Sequence, residues 1–275
     1  MTGAKRVAQS GKRRAQSAER NAEVATVRNI SGFLNKTLRV RSIHDASVNG
    51  LQVKSRTMGA VRRVGFAVDA CISTFEKAAK LGVELLVVHH GIKWRSQKDK
   101  DLENRRAEYL KKSNIALYAV HLPLDLHELY GNNMQLSRLL DVRDPGKFGR
   151  YHGIKIGYVG SFNKATSLDA LSSVLSRSLN VDCRAFRFGK KSIRSIGIIS
   201  GGGGSILKDA VKEQLDCFLV GEIDLAVYNA AREYGMNLLV AGHYATETVG
   251  VRALMPLVKD TFGVDTVFVD DVKEL

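Results

Sequence analysis

Several side chains that could bind a metal ion follow apolar stretches typical of β-strands. They are four of the seven histidines and three carboxylates, namely His89, His90, His121, Asp125, Glu222, His243 and Glu247. Imidazole and carboxylate are ligands for zinc, iron, manganese, cobalt and nickel, and this mixture does not choose among those metals. Each pair alone is typical of an ordinary turn or a solvated helix face. Their clustering at strand ends, in a repeated pattern, predicts a metal site.

The elements that must position these side chains alternate along the chain from about residue 64. We predict strands at 64–69, 84–88, 115–120, 154–160, 183–188, 193–199, 217–220, 238–241 and 266–269. We predict helices at 74–81, 102–112, 134–140, 168–179, 206–215, 225–234 and 246–262, and a turn at 144–146. Continuously apolar strands separated by helix-length segments indicate the α/β class, with mostly parallel sheets flanked by helices. Ligand sites in such sheets lie at the carboxyl ends of the strands.

The sequence also repeats itself once. A strand–helix–strand stretch recurs at an offset of 132 residues, which places Glu222 opposite His90. The following strand recurs at an offset of 122, so the His-x-x-x-carboxylate pattern that begins at His121 returns at His243. We therefore expect two related lobes with the metal cleft between them.

The charge is distributed unevenly over the predicted domains, which are a tail of residues 1–28 and lobes of residues 29–141 and 142–275. The formal charge is +14, and residues 1–63 hold 14 of the 42 basic residues but only three of the 28 acidic ones. The tail has no apolar stretch of the kind found in a secretory signal. Its composition fits a disordered segment, an arm that binds nucleic acid or an organelle presequence, and the sequence does not choose among these.

The overall composition excludes several classes of protein. With 44% hydrophobic and 25% charged residues, the chain is neither collagen-like nor fully disordered. No window approaches 18 uncharged apolar residues, so we expect no transmembrane helix and no membrane association. Three cysteines without a CxxC pattern argue against a disulfide framework and against a cysteine-based zinc site. A reducing compartment, the cytoplasm, is the expected location.

A glycine-rich stretch precedes one of the predicted helices. It consists of Gly201, Gly202, Gly203, Gly204 and Ser205. Backbone amides and a helix N-terminus at this position could bind a phosphate or carboxylate. The alternative is a flexible turn in which the serine caps the helix. The stretch is not a nucleotide-binding P-loop, because no Lys-Ser/Thr pair follows it.

Five short motifs together resemble one known family. They are Asn49–Val53, Val87–Gly91, Ala119–Asp125, Gly221–Ile223 and Ala241–Glu247. In these motifs the chain resembles the Nif-three-like dinuclear metal centre family, whose bacterial members are often labelled type 2 GTP cyclohydrolase homologues. The resemblance extends from about Ile30 to the C-terminus.

The resemblance implies two divalent metal ions per subunit. The residues that match the family's ligands are His89, His90, Asp125, His243 and Glu247. It also implies that Glu247 bridges the ions, that His121 is an accessory group and that the subunits form a homohexamer. After the Gly-Glu-Ile motif many relatives carry a Lys/Ser-His-His stretch, where this chain has Asp224, Leu225 and Ala226. A shared substrate is therefore not implied.

Two hypotheses of function follow. The first is a metal-dependent hydrolase of a nucleotide or another phosphate-bearing small molecule, similar to type 2 GTP cyclohydrolase. In it, His121 or Glu222 transfers a proton and residues 201–205 hold a phosphate. The second is a non-catalytic regulatory protein with a structural or sensing metal, whose basic N-terminus binds nucleic acid or an acidic protein.

Overall fold

The computed structural model describes residues 24–56, 59–95 and 99–272. Its α-helices are α1 (Val27–Thr37), α2 (Ile72–Lys80), α3 (Lys100–Lys112), α4 (Leu122–Asp125), α5 (Asn132–Leu139), α6 (Leu168–Leu179), α7 (Leu207–Lys212), α8 (Leu225–Tyr234) and α9 (His243–Phe262). Its strands are β1 (Gly50–Val53), β2 (Arg63–Asp69), β3 (Leu85–His90), β4 (Ala116–Ala119), β5 (Arg143–Tyr151), β6 (Ile154–Thr166), β7 (Arg184–Phe186), β8 (Ile193–Ile199), β9 (Cys217–Val220), β10 (Asn237–Val240) and β11 (Asp265–Phe268). No helix in these ranges is long and apolar enough to cross a bilayer.

The first sheet has the strand order β1-β4-β3-β2-β11. Strands β4, β3, β2 and β11 are parallel, and β1 is antiparallel to β4 at the edge. Consecutive residues of β2, such as Phe66 and Ala67, belong to hydrophobic clusters on opposite faces of the sheet. Helices α1 and α9 cover one face, and α2 and α3 cover the other. Burial on both faces explains why these strands are apolar throughout.

The second sheet has the order β5-β6-β8-β9-β10-β7. Only β8, β9 and β10 are mutually parallel, and the remaining pairs are antiparallel. The expectation of mostly parallel sheets therefore holds for the first sheet, whereas the second is only partly parallel. The reason is the hairpin of β5 and β6, whose direct connection forces antiparallel pairing. Helices α5 and α6 pack on one face, and α7 and α8 on the other.

The internal repeat corresponds to two equivalent strand triplets. Strands β2, β3 and β4 are adjacent and parallel in the first sheet, as β8, β9 and β10 are in the second. The predicted boundary after residue 141 separates the two sheets with one exception. Strand β11 pairs with β2, and α9 packs against both of them. The C-terminal segment thus returns to the first lobe.

Two expectations need correction. Residues 144–146 were predicted to form a turn, but they lie within β5. The pairing of β5 with β6 shifts register between Arg143 and Gly146, so Asp144 and Pro145 fit into the strand. The tail was predicted to end at residue 28, but helix α1 already begins at Val27. The hydroxyl of Thr26 caps this helix by accepting a hydrogen bond from Asn29 N. The remainder of that tail, residues 1–23, lies outside the described residues.

Candidate metal centre

The candidate side chains meet where the carboxyl ends of the two parallel triplets face each other. His89 and His90 end β3, His121 follows β4, and Asp125 ends the short helix α4. From the second sheet, Glu222 follows β9, and α9 carries His243 and Glu247. Five of these seven residues line a cleft of about 410 Å³, together with Trp94, Tyr151, Ser200 and part of the glycine-rich stretch. His89 lies beneath this cleft and is fully buried.

Glu247 lies at the centre of the cluster. Its Oε1 atom is 3.5 Å from His89 Nε2 and 3.2 Å from His243 Nε2. Its Oε2 atom is 3.3 Å from His90 Nε2. Helix α9 begins at His243, three residues earlier than predicted, so His243 and Glu247 lie one turn apart on the same helix face. One buried carboxylate therefore faces three imidazoles.

Asp125 is the second carboxylate at the floor of the cleft. Its Oδ1 atom accepts hydrogen bonds from Asn132 Nδ2 (2.8 Å) and from the Ser200 hydroxyl (3.1 Å). Its Oδ2 atom faces His89 Nε2 at 3.6 Å. The hydrogen bonds fix the carboxylate so that one oxygen remains directed at the imidazole.

His89 and His90 were expected to approach one cleft because Gly91 follows them, and their ring centroids lie 4.6 Å apart. The backbone carbonyl of Val120 lies 3.0 Å from His89 Nδ1, so that nitrogen donates and Nε2 is left facing the carboxylates. His90 Nδ1 is held at 2.9 Å by Asp69, the residue paired with it on β2. Each ring thus presents Nε2 to the centre of the site.

The charges of the cluster reinforce one another in the metal-free protein. Burial lowers the pKa of His89, but the charges of Asp125 and Glu247 outweigh it and raise the pKa to about 10. The hydrogen bond to Glu247 is the main cause that raises the pKa of His243 to about 9. Burial would raise the pKa of Glu247, yet the charges of His89 and His90 hold it well below its ordinary value. Without metal, protons therefore occupy two of the imidazoles at neutral pH.

The two residues predicted to transfer protons lie at the edges of the cluster. His121 donates a hydrogen bond from Nδ1 to Asp45 Oδ1, 3.0 Å away, and its ring lies 5.0 Å from that of His89. Glu222 is largely exposed, and its Oε1 atom lies 3.0 Å from His243 Nδ1. The contact of Glu222 orients an imidazole, whereas His121 lines the cleft itself.

Sequence reasoning missed Asp45, which holds His121 in place. Its carboxylate also accepts hydrogen bonds from Ser47 N, Leu122 N and Asn49 Nδ2. Burial would raise the pKa of Asp45, but the hydrogen bond and charge of His121 and the other donors lower it to about 2. One signal in the sequence was available, because Asp45 is the only acidic residue between residues 24 and 68.

The glycine-rich stretch approaches the cluster closely. Gly201 has φ +62°, and a side chain there would overlap the Glu247 carboxylate. Gly202, Gly203 and Ser205 line the cleft, and residues 203–206 form a 3₁₀ turn rather than the start of a long helix. Helix α7 that follows spans only six residues. Gly201 therefore has a packing role next to Glu247 whether or not the stretch binds an anion.

The donor set fits a metal ion. Two groups of side chains have their potential ligand atoms within 4.8 Å of one another, His89 with His90 and His121, and His90 with His243 and Glu247. The Nε2 atom of His89 and the Oε2 atom of Glu247 are buried without a hydrogen-bond partner in the described part of the chain. Unsatisfied buried polar atoms are costly, and a cation would satisfy both. The cluster could thus hold a metal ion.

Comparison with known proteins identifies relatives over nearly the whole described chain. The model of the family described as Duf34/NIF3 (NGG1p interacting factor 3) matches residues 25–274. A Pyrococcus abyssi protein named GTP cyclohydrolase 1 type 2 homolog is 42% identical over 243 residues, covering 88% of this chain and 96% of that protein. A Treponema pallidum protein of the same name is 35% identical over 260 residues, covering 82% and 91%.

Solved structures agree with the sequence comparison. The crystal structure of TTHA1606 from Thermus thermophilus superposes with a TM-score of 0.80 at 33% sequence identity, covering 90% of this chain and 98% of that one. These matches confirm the resemblance predicted from the five motifs and the fold of two helix-flanked sheets. The chain belongs to the Duf34/NIF3 family.

Proposed function

We propose that the cleft binds two divalent metal ions and that the protein hydrolyses a nucleotide or another phosphate-bearing small molecule. The observation that carries this proposal is the orientation of Glu247. Its two oxygens face different imidazoles, those of His89 and His90, at 3.5 and 3.3 Å. A buried carboxylate with this orientation suits a bridge between two cations. Asp125 would complete the ligands on the side of His89. His243 lies 3.2 Å from Oε1, and its ligand atom also lies close to those of His90 and Glu247, so it would serve with His90.

The residues around the cluster support a hydrolytic reaction. Bound divalent ions would polarise a phosphoryl or ring-carbon electrophile and lower the pKa of a water molecule. His121, held at Nδ1 by Asp45, has Nε2 available to hold or move a proton in the cleft. Glu222, which contacts His243 Nδ1, would orient that imidazole or relay a proton to solvent. Trp94 and Tyr151 provide aromatic walls for a planar ring.

The substrate class rests on the cleft and on the names of relatives. Gly202, Gly203 and Ser205 present backbone and a hydroxyl to the cleft, which suits a phosphate group. Several relatives carry the name GTP cyclohydrolase 1 type 2 homolog, which favours a nucleotide. We also propose, from the family resemblance alone, a cytoplasmic homohexamer. Light scattering coupled to size-exclusion chromatography tests that assembly.

The test compares two variants and a matched control. Asp125→Ala and Glu247→Gln each remove one carboxylate charge from the cluster, whereas Glu233→Gln removes an exposed one on α8. Each protein is reconstituted with one metal at a time, and its turnover of GTP and other phosphate compounds is measured. We expect both cluster variants to lose bound metal and turnover while the control retains them. Full metal content in Asp125→Ala would refute the ligand assignment.

The same experiment separates the proposal from its alternative. A wild-type protein that binds metal tightly but turns over no phosphate compound with any of the metals would favour a structural or sensing site. In that case the cluster serves a non-catalytic regulatory protein, and the basic N-terminal region carries the interaction with its partner.

A further inference from the structure

A groove rich in cationic side chains lies on the first lobe. It is lined by helix α1, by strand β1 and by residues next to both. Two cavities, of about 680 and 420 Å³, share Gly32, Asn35 and Arg41 and so form one continuous groove. We call it the basic groove. Its cationic side chains are Arg28, Lys36, Arg39, Arg41 and Lys54. None of the described residues that we assign to the metal centre lines it.

These cations have no ion-pair partner among the described residues. All five are exposed, and none forms an ion pair within residues 24–56, 59–95 and 99–272. The only acidic residue between residues 24 and 56, Asp45, is buried and bound to His121. By contrast, two arginines at the start of β2, Arg62 and Arg63, pair with carboxylates. Among the described residues, the basic groove therefore presents five cations that form no ion pair, which gives it a positive potential.

Two further residues of the groove have features that no contact among the described residues explains. Ser31 is 95% buried, since only 5% of it is exposed, and its hydroxyl has no hydrogen-bond partner. Gly32 lies in the middle of α1, where glycine destabilises a helix, yet a β-carbon there would meet nothing within 4 Å. An unsatisfied hydroxyl beside a bare stretch of helix suits a ligand with acceptor oxygens that approaches the backbone closely.

We propose that the basic groove binds the phosphate backbone of a double-stranded nucleic acid without sequence preference. Arginine guanidinium groups bind phosphate oxygens in pairs of hydrogen bonds, and three of the five cations are arginines. Helix α1 has 11 residues and is about 16 Å long, a distance along the duplex axis over which each strand carries about five phosphates. Among the described residues that line the two cavities none is aromatic, so these residues provide no stacking platform of the kind that single strands require.

The chain's own N-terminal residues are a poor occupant of the groove. Residues 1–23 contain six basic and two acidic residues, so they carry the same sign of charge as the groove. Because they precede α1 closely in the chain, they would add to the attraction for a polyanion rather than neutralise the groove.

The test measures binding of a fluorescein-labelled 20-base-pair DNA duplex to the full chain by anisotropy at several salt concentrations. The variant R28Q/R39Q/R41Q removes three cations from the groove. The control K208Q/K212Q/R232Q removes three exposed cations from α7 and α8. For the groove variant we expect at least tenfold weaker binding at 0.1 M salt. Its slope of log K against log salt should be smaller by about three, one per lost phosphate contact. The control should change affinity less than twofold.

A second variant guards against misfolding as the cause. Gly32→Gln places a neutral side chain in the groove at a position with free space, so its melting temperature should equal or exceed that of the wild type. Its affinity for the duplex should still fall at least fivefold. The proposal is overturned if both triple variants lose affinity equally or if Gly32→Gln binds normally. It is also overturned if vesicles with 30% phosphatidylserine bind more tightly than the duplex, or if the groove variant alters only the oligomeric state. None of these readouts depends on the metal centre.

Discussion

The substitution Glu247→Gln in the metal-free protein probes the central carboxylate of the cluster directly. The change keeps the shape of the side chain but removes the negative charge that faces three imidazoles at 3.2 to 3.5 Å. At neutral pH the protons on His89 and His243 then lose a buried counter-charge. We expect the free energy of unfolding to fall, because removing one partner of a buried ion pair leaves the other uncompensated.

The size of this loss follows from the pKa of His243, which rises from 6.5 to about 9 chiefly through its hydrogen bond to Glu247. At about 1.36 kcal/mol per pKa unit, the full shift corresponds to at most about 2–3 kcal/mol at pH 7. Because Glu222 contributes to it and His243 is partly exposed to solvent, we attribute about 1–2 kcal/mol to Glu247. A raised folded-state pKa stabilises the protein fully below about pH 6.5, and the effect disappears as the pH passes 9. The pKa of His89, about 10, extends the same trend. The free energy of unfolding of the wild type should therefore exceed that of the variant by at least about 1–2 kcal/mol at pH 7 and by less than about 0.5 kcal/mol at pH 10.

Urea denaturation in the presence of a chelator measures this difference. The fluorescence of Trp94 can follow it, because this residue is the only tryptophan and lines the cleft. Glu233→Gln, on the exposed side of α8, is the control and should leave the stability unchanged at both pH values. An equal loss of stability in Glu247→Gln at pH 7 and pH 10, or no loss at pH 7, would refute the electrostatic reasoning.

Three more predictions concern the same cleft. Metal affinity should increase from pH 7 to pH 10, because the two protonated imidazoles lose their protons over this range. At pH 7, metal binding should release up to about two protons per chain, which calorimetry in buffers of different ionisation enthalpy measures. Asp45→Asn should slow turnover by about 10²-fold or more, because the amide weakens the hold on His121 and on the backbone of Leu122. The metal content should stay normal, since Asp45 contacts none of the proposed metal ligands; loss of metal would contradict this role. Gly201→Ala should abolish tight metal binding by displacing Glu247, as measured by elemental analysis. Its control, Gly263→Ala, has a similar positive φ but free space around it and should cost only about 1 kcal/mol of stability.

The parallel strands could be predicted from the sequence because burial on both faces leaves a continuous apolar stretch. Strands β8 and β9 have the predicted bounds. Helix α1 and strand β1 were not predicted. The helix contains Gly32 and is stabilised by packing of Ile30 and Leu34 against the first sheet. The strand depends on pairing with β4 at the sheet edge. The four-residue strand leaves no periodic signal, whereas the helical spacing of Ile30 and Leu34 was visible in the sequence and was overlooked.

The candidate site was predictable where its residues form local patterns. The histidine pair of β3 and the two His-x-x-x-carboxylate motifs are visible in the sequence, and the structure brings them into one cleft. Asp45 and Asp69 are single residues distant in sequence from the imidazoles they contact. Only the pairing of β2 with β3 places Asp69 beside His90. Sequence spacing therefore identifies potential ligands better than it identifies the residues that orient them.

The most direct test of the two-metal proposal is elemental analysis of the purified full chain, native and after reconstitution, counted per subunit. The proposal predicts about two tightly bound divalent ions per chain, because Glu247 faces one set of ligands with each oxygen. A protein that retains no ion even after reconstitution would contradict it.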